Sequence, residues 1–217
     1  MKIKWNGHAS FTITAADGTV VVTDPYDPKA FGGVFEYDMV TDRADGVLVS
    51  HDHADHNHVK GLSGSPEVLK GSGKVGDISV KGIETAHDES GGKERGTNTV
   101  FFFEVDGIHI CFVGDLGHQL SEEQIKEIGP VNVLLTPVGG TFTVDAEGAA
   151  ELVKSLSPNV VIPMHFKTGK TRLPIAGVED FLKVMGDANK TGKSEIDITS
   201  ADIPTGGTEV WVLEHAC

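Results

Sequence analysis

Residues 50–56 read Ser-His-Asp-His-Ala-Asp-His, and the H-x-H-x-D-H run from His51 to His56 governs the interpretation of the whole chain. In an extended segment alternate side chains share a face, so His51 and His53 project together and can hold one cation. Asp55 and His56 follow after the chain turns and can address a second cation nearby. Imidazole with carboxylate suits zinc, manganese, iron or nickel better than magnesium or calcium. The alternative, a polar surface loop that happens to be rich in His, leaves the spacing unexplained.

Working outward, the apolar run Val47-Leu48-Val49 ends directly in Ser50-His51, as a short buried strand would. The same arrangement recurs three times. His87 follows the strand-like Ile83-Glu84-Thr85-Ala86. Asp115 follows Ile110-Cys111-Phe112-Val113-Gly114, and His165 follows Val160-Val161-Ile162-Pro163-Met164. Four candidate ligands thus stand at the C-terminal ends of strands, where α/β proteins place their sites.

The remaining pattern is mixed. Phe11–Thr14 and Thr19–Thr23 flank the turn signal Ala16-Asp17-Gly18 and predict a hairpin. Residues 78–84, 98–105 and 108–113 predict strands, as do 131–135, 160–162 and 208–213. Helices are predicted over 121–128, with Ser121 as N-cap, over 145–156, with Asp145 as N-cap, and over 177–185. Strands crowd the first half and alternate with helices in the second, and no low-complexity linker divides residues 1–217. A single layered α/β domain is the expectation.

Composition narrows the function. Eighteen Lys and Arg against 32 Asp and Glu give a net charge of −14, a field that repels nucleic acid and anionic membrane. Ten His exceed what packing needs. Two cysteines, Cys111 and Cys217, cannot build a disulfide framework and fit a reducing compartment. The N-terminal MKIKWNGHASF lacks a signal-peptide core, and no run approaches 18 apolar residues. A cytoplasmic enzyme with no nucleic-acid or membrane partner is expected, with a homo-oligomer left open.

Several segments carry a resemblance: Gly7-His8-Ala9, Thr23-Asp24-Pro25, Ser50 to His56, Ala86-His87, Val113-Gly114-Asp115, Pro137 to Thr143, and Ile162 to Phe166. In this order they resemble the metallo-β-lactamase superfamily of metal-dependent hydrolases. Within it they look most like the branch of L-ascorbate-6-phosphate lactonase and its small uncharacterised neighbours. The resemblance implies an αββα sandwich of two mixed sheets with outer helices. It implies that His51, His53 and His87 hold one metal, that Asp55, His56 and His165 hold a second, and that Asp115 bridges them. It places His8 and Asp24 beside this cluster, behind the ligands or against substrate.

The cofactors expected are two divalent ions, zinc first, with manganese or iron as alternatives. A hydroxide between them would attack a small anionic ester, lactone or phosphodiester. Asp55 and Asp115 are candidates for proton transfer, and His8 for protonating the leaving group. The Pro137–Thr143 loop, with Thr141, is expected to approach the metals. Lys93 and Arg95 after His87, and Lys167, Lys170 and Arg172 after His165, are the basic residues placed to grip an anion. His58, His109 and His215 carry no assigned role, His118 is a marginal candidate for the cleft rim, and Asp88 is assigned none. Two alternatives stand beside this reading: a nucleic-acid phosphodiesterase of the same superfamily, disfavoured by the charge, and a non-catalytic metal-binding scaffold, disfavoured by the full ligand set.

Overall fold

The computed structural model describes all residues, Met1–Cys217. Its strands are β1 (Lys2–Gly7), β2 (Ser10–Thr14), β3 (Val20–Thr23), β4 (Arg43–Leu48), β5 (Ser63–Leu69), β6 (Gly73–Val75), β7 (Ile78–Ala86), β8 (Thr97–Val105), β9 (Ile108–Phe112), β10 (Val133–Pro137), β11 (Val160–Met164), β12 (Ala188–Lys190), β13 (Glu195–Asp197) and β14 (Glu209–Val212). Four helices join them: α1 (Ala30–Gly33), α2 (Glu122–Ile128), α3 (Ala146–Leu156) and α4 (Val178–Met185).

Two mixed sheets form. One runs β13-β1-β2-β3-β4-β5, antiparallel up to β3 and parallel from β3 to β5. The other runs β12-β14-β11-β10-β9-β8-β7-β6, parallel from β12 to β9 and antiparallel from there to β6. Alternation along the strands explains the layering. Ile3, Trp5, Phe11, Ile13 and Val21 of the first sheet join Phe101, Phe112, Leu134 and Ile162 of the second in one apolar cluster. Their neighbours Val22, Val47 and Val49 face the opposite way, into a second, smaller cluster.

The eight-stranded sheet is covered by helices whose limits the chain encodes locally. Ser121 and Gln124 form a reciprocal capping box that starts α2. Asp145 accepts from the Gly148 N–H to start α3, and Ser157, in the left-handed region just before Pro158, ends it. Buried Ala146, Ala149, Leu152, Val153 and Leu156 make the stripe that α3 lays against the core. The expected helices and hairpin are all present.

The six-stranded sheet is covered differently. Its outer face meets residues 25–40, where Pro25, Pro28, Gly32 and Gly33 discourage helix. Only the single turn α1 forms, interrupted by Phe31 and Gly32 in left-handed conformation. Tyr26, Phe35, Tyr37 and Val40 cover the sheet instead, and the Tyr26 hydroxyl faces the carbonyls of Asn6 and Asp38. No helix is long and apolar enough to cross a membrane.

The burial of α3 sets one expectation. Leu152→Ala leaves a cavity at a fully buried position and should lower the unfolding free energy by about 2–5 kcal/mol in a urea titration. Glu151→Ala, on the exposed face, should change it by less than about 0.5 kcal/mol. Equal effects would show that the stripe does not carry the docking of this helix.

Candidate metal centre

The strand ends converge. β4, β7, β9 and β11 deliver His51, His87, Asp115 and His165 to one edge of the sandwich, and backbone hydrogen bonds tie the loops together there. The N–H groups of Thr99, His165, Gly117 and Asp27 donate to the carbonyls of Ser50, His8, Ala86 and Ala54. Two glycines allow this closeness. A Cβ on Gly114 would stand 2.5 Å from both Asn98 Oδ1 and Ser50 Cβ, and one on Gly139 would stand 2.3 Å from the His165 carbonyl oxygen. His8, Asp24, Thr141 and His165 all adopt positive φ without being glycine, a concentration of backbone strain around one site.

The side chains gather into three overlapping groups of possible ligands. His51, His53 and His87 form one, His8, Asp55, His56 and His165 form another, and Asp24 joins His51 and His56 across these two, with ligating atoms within 4.8 Å of one another in each. Asp115 stands between the first two. Its Oδ2 lies 3.2 Å from His56 Nε2, 3.3 Å from His165 Nε2 and 3.5 Å from His87 Nε2. The seven residues expected as ligands are therefore brought together in one cluster. His8 enters the second group more intimately than expected, with Nε2 3.1 Å from Asp55 Oδ2 and its ring 4.2 Å from that of His165.

A further layer orients these rings. Asp24 Oδ2 takes His56 Nδ1 at 2.8 Å and the Ser50 hydroxyl at 2.5 Å, while Oδ1 takes the Ser50 N–H at 2.7 Å. The Ser50 hydroxyl also lies 2.9 Å from His51 Nδ1. These contacts leave Nε2 of both rings facing the cluster. Asn98 accepts the Asp115 N–H at 3.0 Å and donates to the Thr85 hydroxyl and the Val113 carbonyl. The Trp5 indole donates to the His8 carbonyl. Ser50, Asn98 and Trp5 carry no expectation from sequence, because a neutral residue that fixes a neighbour leaves no motif.

Charge follows from burial. Burial, followed by the neighbouring His165, lowers His8 to about 4, and burial with the His56 charge lowers His51 to about 2. Burial opposes a charge on His56 too, but Asp115 and Asp55 outweigh it and hold this imidazole well above its ordinary value. Burial works against the Asp55 and Asp115 carboxylates, and the surrounding histidines prevail and keep both well below the usual range. Burial pushes Asp24 up, against the pull of His56 and Ser50.

One result tests whether a cation fits. Five buried side-chain atoms lack a hydrogen-bond partner in the entire protein: Asp55 Oδ1, His56 Nε2, His87 Nδ1, Asp115 Oδ1 and His165 Nδ1. All five belong to this cluster. The contacts of His56 Nε2 with Asp55 and Asp115 are close but not aligned as hydrogen bonds. Imidazole and carboxylate are the side-chain types that a divalent transition metal takes, and their buried atoms left without partners gather here alone.

A cavity of about 370 Å³ opens over the cluster. His53, Asp55, His87, Asp115 and His165 form its floor, and Phe31, Phe142, Leu173 and Arg95 its walls. Of the five basic residues expected near the site, Arg95 alone lines this cavity. Lys167 donates to the Leu173 carbonyl and lines a separate cavity with Trp5 and Phe166. Arg172 donates to the Gly33 carbonyl and lies 3.7 Å from Glu36. Lys93 and Lys170 do not line the cleft. Thr141 donates to the Pro174 carbonyl, so it braces the loop and does not face the cluster, whereas its neighbour Phe142 does.

The minor histidines are structural. His118 Nε2 accepts the Ala86 N–H, His109 sits against Glu104, and His215 Nδ1 lies against the Cys217 carbonyl. His58 is partly exposed near Asp27. Asp88, given no role from sequence, has one. It is buried, and its carboxylate accepts the N–H groups of Ser90, Gly92, Glu94 and Arg95. Burial opposes ionisation, yet these four donors hold it at about 2.

Comparison with known proteins agrees with this arrangement. Residues 2–165 match the family model described as a beta-lactamase superfamily domain. A protein of Anaeromyxobacter dehalogenans, described as a UPF0173 metal-dependent hydrolase, is 30% identical over 94% of this chain and 86% of its own. One from Pyrococcus abyssi with the same description is 31% identical over 88% and 94%. A crystal structure from Thermotoga maritima, assigned to the Zn-dependent hydrolases of the metallo-β-lactamase superfamily, superposes with a TM-score of 0.80 at 36% identity, covering 99% of this chain and 98% of that one. The chain belongs to the metallo-β-lactamase superfamily.

Proposed function

We propose that this chain is a metal-dependent hydrolase with a dinuclear centre, acting on a small anionic ester, lactone or phosphodiester. His51, His53 and His87 would hold one cation, and Asp55, His56 and His165 the other, with Asp115 between them. The observation that carries the reading is that the only buried side-chain nitrogens and oxygens without partners all lie in this one cluster. The relatives described as metal-dependent hydrolases support the same chemistry, and the Thermotoga maritima neighbour favours zinc. An imidazole-rich donor set also suits zinc, with manganese and iron as alternatives.

Bound cations would supply an activated water and a Lewis acid for the electrophile. The protein's own residues do the rest. Asp24 and Ser50 hold His56 and His51 by one nitrogen and so fix the direction of the other. Asn98 pins the backbone of Asp115. His8 is neutral in its buried setting, and its hydrogen bond to Asp55 keeps a proton on Nε2 at the edge of the cluster. This ring is buried and outside the cavity lining, so it orients Asp55 and does not reach a departing oxygen. The walls of Phe31, Phe142 and Leu173 limit water around the electrophile.

Two measurements test this. Elemental analysis of protein purified without chelator, or reconstituted with zinc or manganese, should approach about two metals per chain, the number that seven candidate donors support. His51→Ala should lose metal, while His58→Ala, outside the cluster, should retain it. A chain that stays metal-free after reconstitution overturns the proposal.

The second measurement is Asp115→Asn. Asparagine keeps the shape but offers a neutral oxygen between two cations. The variant should keep the wild-type circular dichroism, bind at least one metal more weakly, and turn over a panel of lactones, esters and phosphodiesters at least about 100-fold more slowly. A folded variant with full metal content and unchanged turnover would show that Asp115 does not join the two halves of the site.

A further inference from the structure

The cavity over the cluster is chemically divided. One side is apolar, made by Phe31, Phe142 and Leu173, and the only cation among the wall residues is Arg95. We infer that Arg95 is the specificity-determining residue of the site, and that its substrates carry an oxyanion, carboxylate or phosphate, on a flat apolar body. This rests on the proposed hydrolase reading and names the substrate class for it.

Four observations carry the inference. First, the guanidinium is committed to little within the protein. It makes no side-chain hydrogen bond, and its one ion pair, with Glu94 Oε2, is long at 3.8 Å and exposed. Its planar N–H fork remains available for a bidentate oxyanion. Second, it is held in place from both sides. The Arg95 N–H is one of the four taken by buried Asp88, and the guanidinium carbon lies 5.8 Å from the centroid of the Phe142 ring. Third, a chain of net charge −14 repels anions at a distance, so an anionic substrate needs a fixed local cation at the mouth of the cleft. Fourth, near His165, Lys167 is engaged with the Leu173 carbonyl and Arg172 with Gly33 and Glu36, and Lys170 does not line the cavity. Exposed Phe31, at 60% of its full accessible surface, is an apolar surface with no packing partner inside the chain large enough to cover it. A cavity of about 370 Å³ accommodates a two-ring molecule and excludes a folded polymer.

Asp88 becomes a positioning residue in this scheme. It does not face the cleft, but it shapes the turn from which Arg95 projects.

Three probes separate charge from apolar body: 2-naphthoate, 2-naphthamide and acetate. Their dissociation constants are measured on the protein as purified, alongside its metal content. Wild type should bind 2-naphthoate more tightly than either other probe. Arg95→Gln should weaken 2-naphthoate at least about tenfold, as expected for loss of a charged hydrogen-bonded pair, and change 2-naphthamide less than about twofold, at constant metal content. Arg95→Lys should recover part of the loss, because a point charge replaces the fork. Phe142→Ala should weaken both naphthyl probes, and acetate less than either. Asp88→Asn should shift 2-naphthoate in the direction of Arg95→Gln and spare 2-naphthamide.

The inference is overturned if Arg95→Gln leaves 2-naphthoate unchanged, or weakens the charged and neutral naphthyl probes alike. An unchanged Arg95→Gln affinity that chelator abolishes would assign the carboxylate to the metals. That outcome would sink this inference and leave the hydrolase reading standing. Absence of metal together with the expected Arg95 selectivity would do the reverse.

Discussion

Three carboxylates and six imidazoles share one water-poor volume, and the rest of the molecule answers to that constraint. Asp24, Asp55 and Asp115 are buried, as are His8, His51, His56, His87 and His165, with only His53 partly exposed. Ionisable groups taken out of water must be compensated. The protein compensates part of the set by itself, by placing His56 among Asp24, Asp55 and Asp115. It leaves five polar atoms over. Two sheets with a large shared core hold such a cluster closed. So do loops tied to one another by main-chain hydrogen bonds, and left-handed residues at His8, Asp24 and His165, each costing on the order of 1–3 kcal/mol.

Much of this was visible in the order of residues because metal chemistry restricts residue type. His51, His53, Asp55 and His56 announce themselves by spacing, and His87, Asp115 and His165 by standing where apolar runs stop. Helices α2 and α3 were equally plain, since Ser121 and Asp145 are caps whose hydrogen bonds are local. The first strand is less plain, although Ile3 and Trp5 alternate with lysines, because one of its two partners, β13, comes from the far end of the chain. Short β6, β12 and β13 carry too few residues to show a period. Their existence depends on neighbours supplied by distant parts of the chain.

The site's supporting residues were the least legible part. Asp24 is identifiable only through resemblance, and Ser50 and Asn98 not at all. Their role is to complete the hydrogen bonds of other groups, which depends on three-dimensional proximity and not on type. Thr141 and Lys167 show the opposite error. Both lie close in sequence to functional residues, yet their side chains turn to backbone carbonyls, at Pro174 and Leu173. Asp88 is the instructive case. It sits next to a candidate ligand, stands outside the candidate set, and still fixes the loop of Arg95 through four N–H groups.

The irregular layer over the six-stranded sheet has a consequence for how this cleft can diversify. Residues 33–37 and 168–172 are clipped together: Glu36 N–H to the Lys170 carbonyl, Arg172 N–H to the Val34 carbonyl, the Arg172 guanidinium to the Gly33 carbonyl, and the Tyr37 hydroxyl to the Thr168 hydroxyl. Phe31 projects from one side of this clasp and Leu173 from the other, so opposite ends of the apolar wall belong to a single mechanical part. Neither segment contains any of the seven candidate ligands, and neither is a strand of the sandwich. The Phe31 and Leu173 part of the wall is thus one unit, separate from Phe142, and it meets the cluster through Phe35, whose ring lies 4.7 Å from that of His8. This unit cannot be exchanged by halves, because a foreign partner would leave the clasp's hydrogen bonds open.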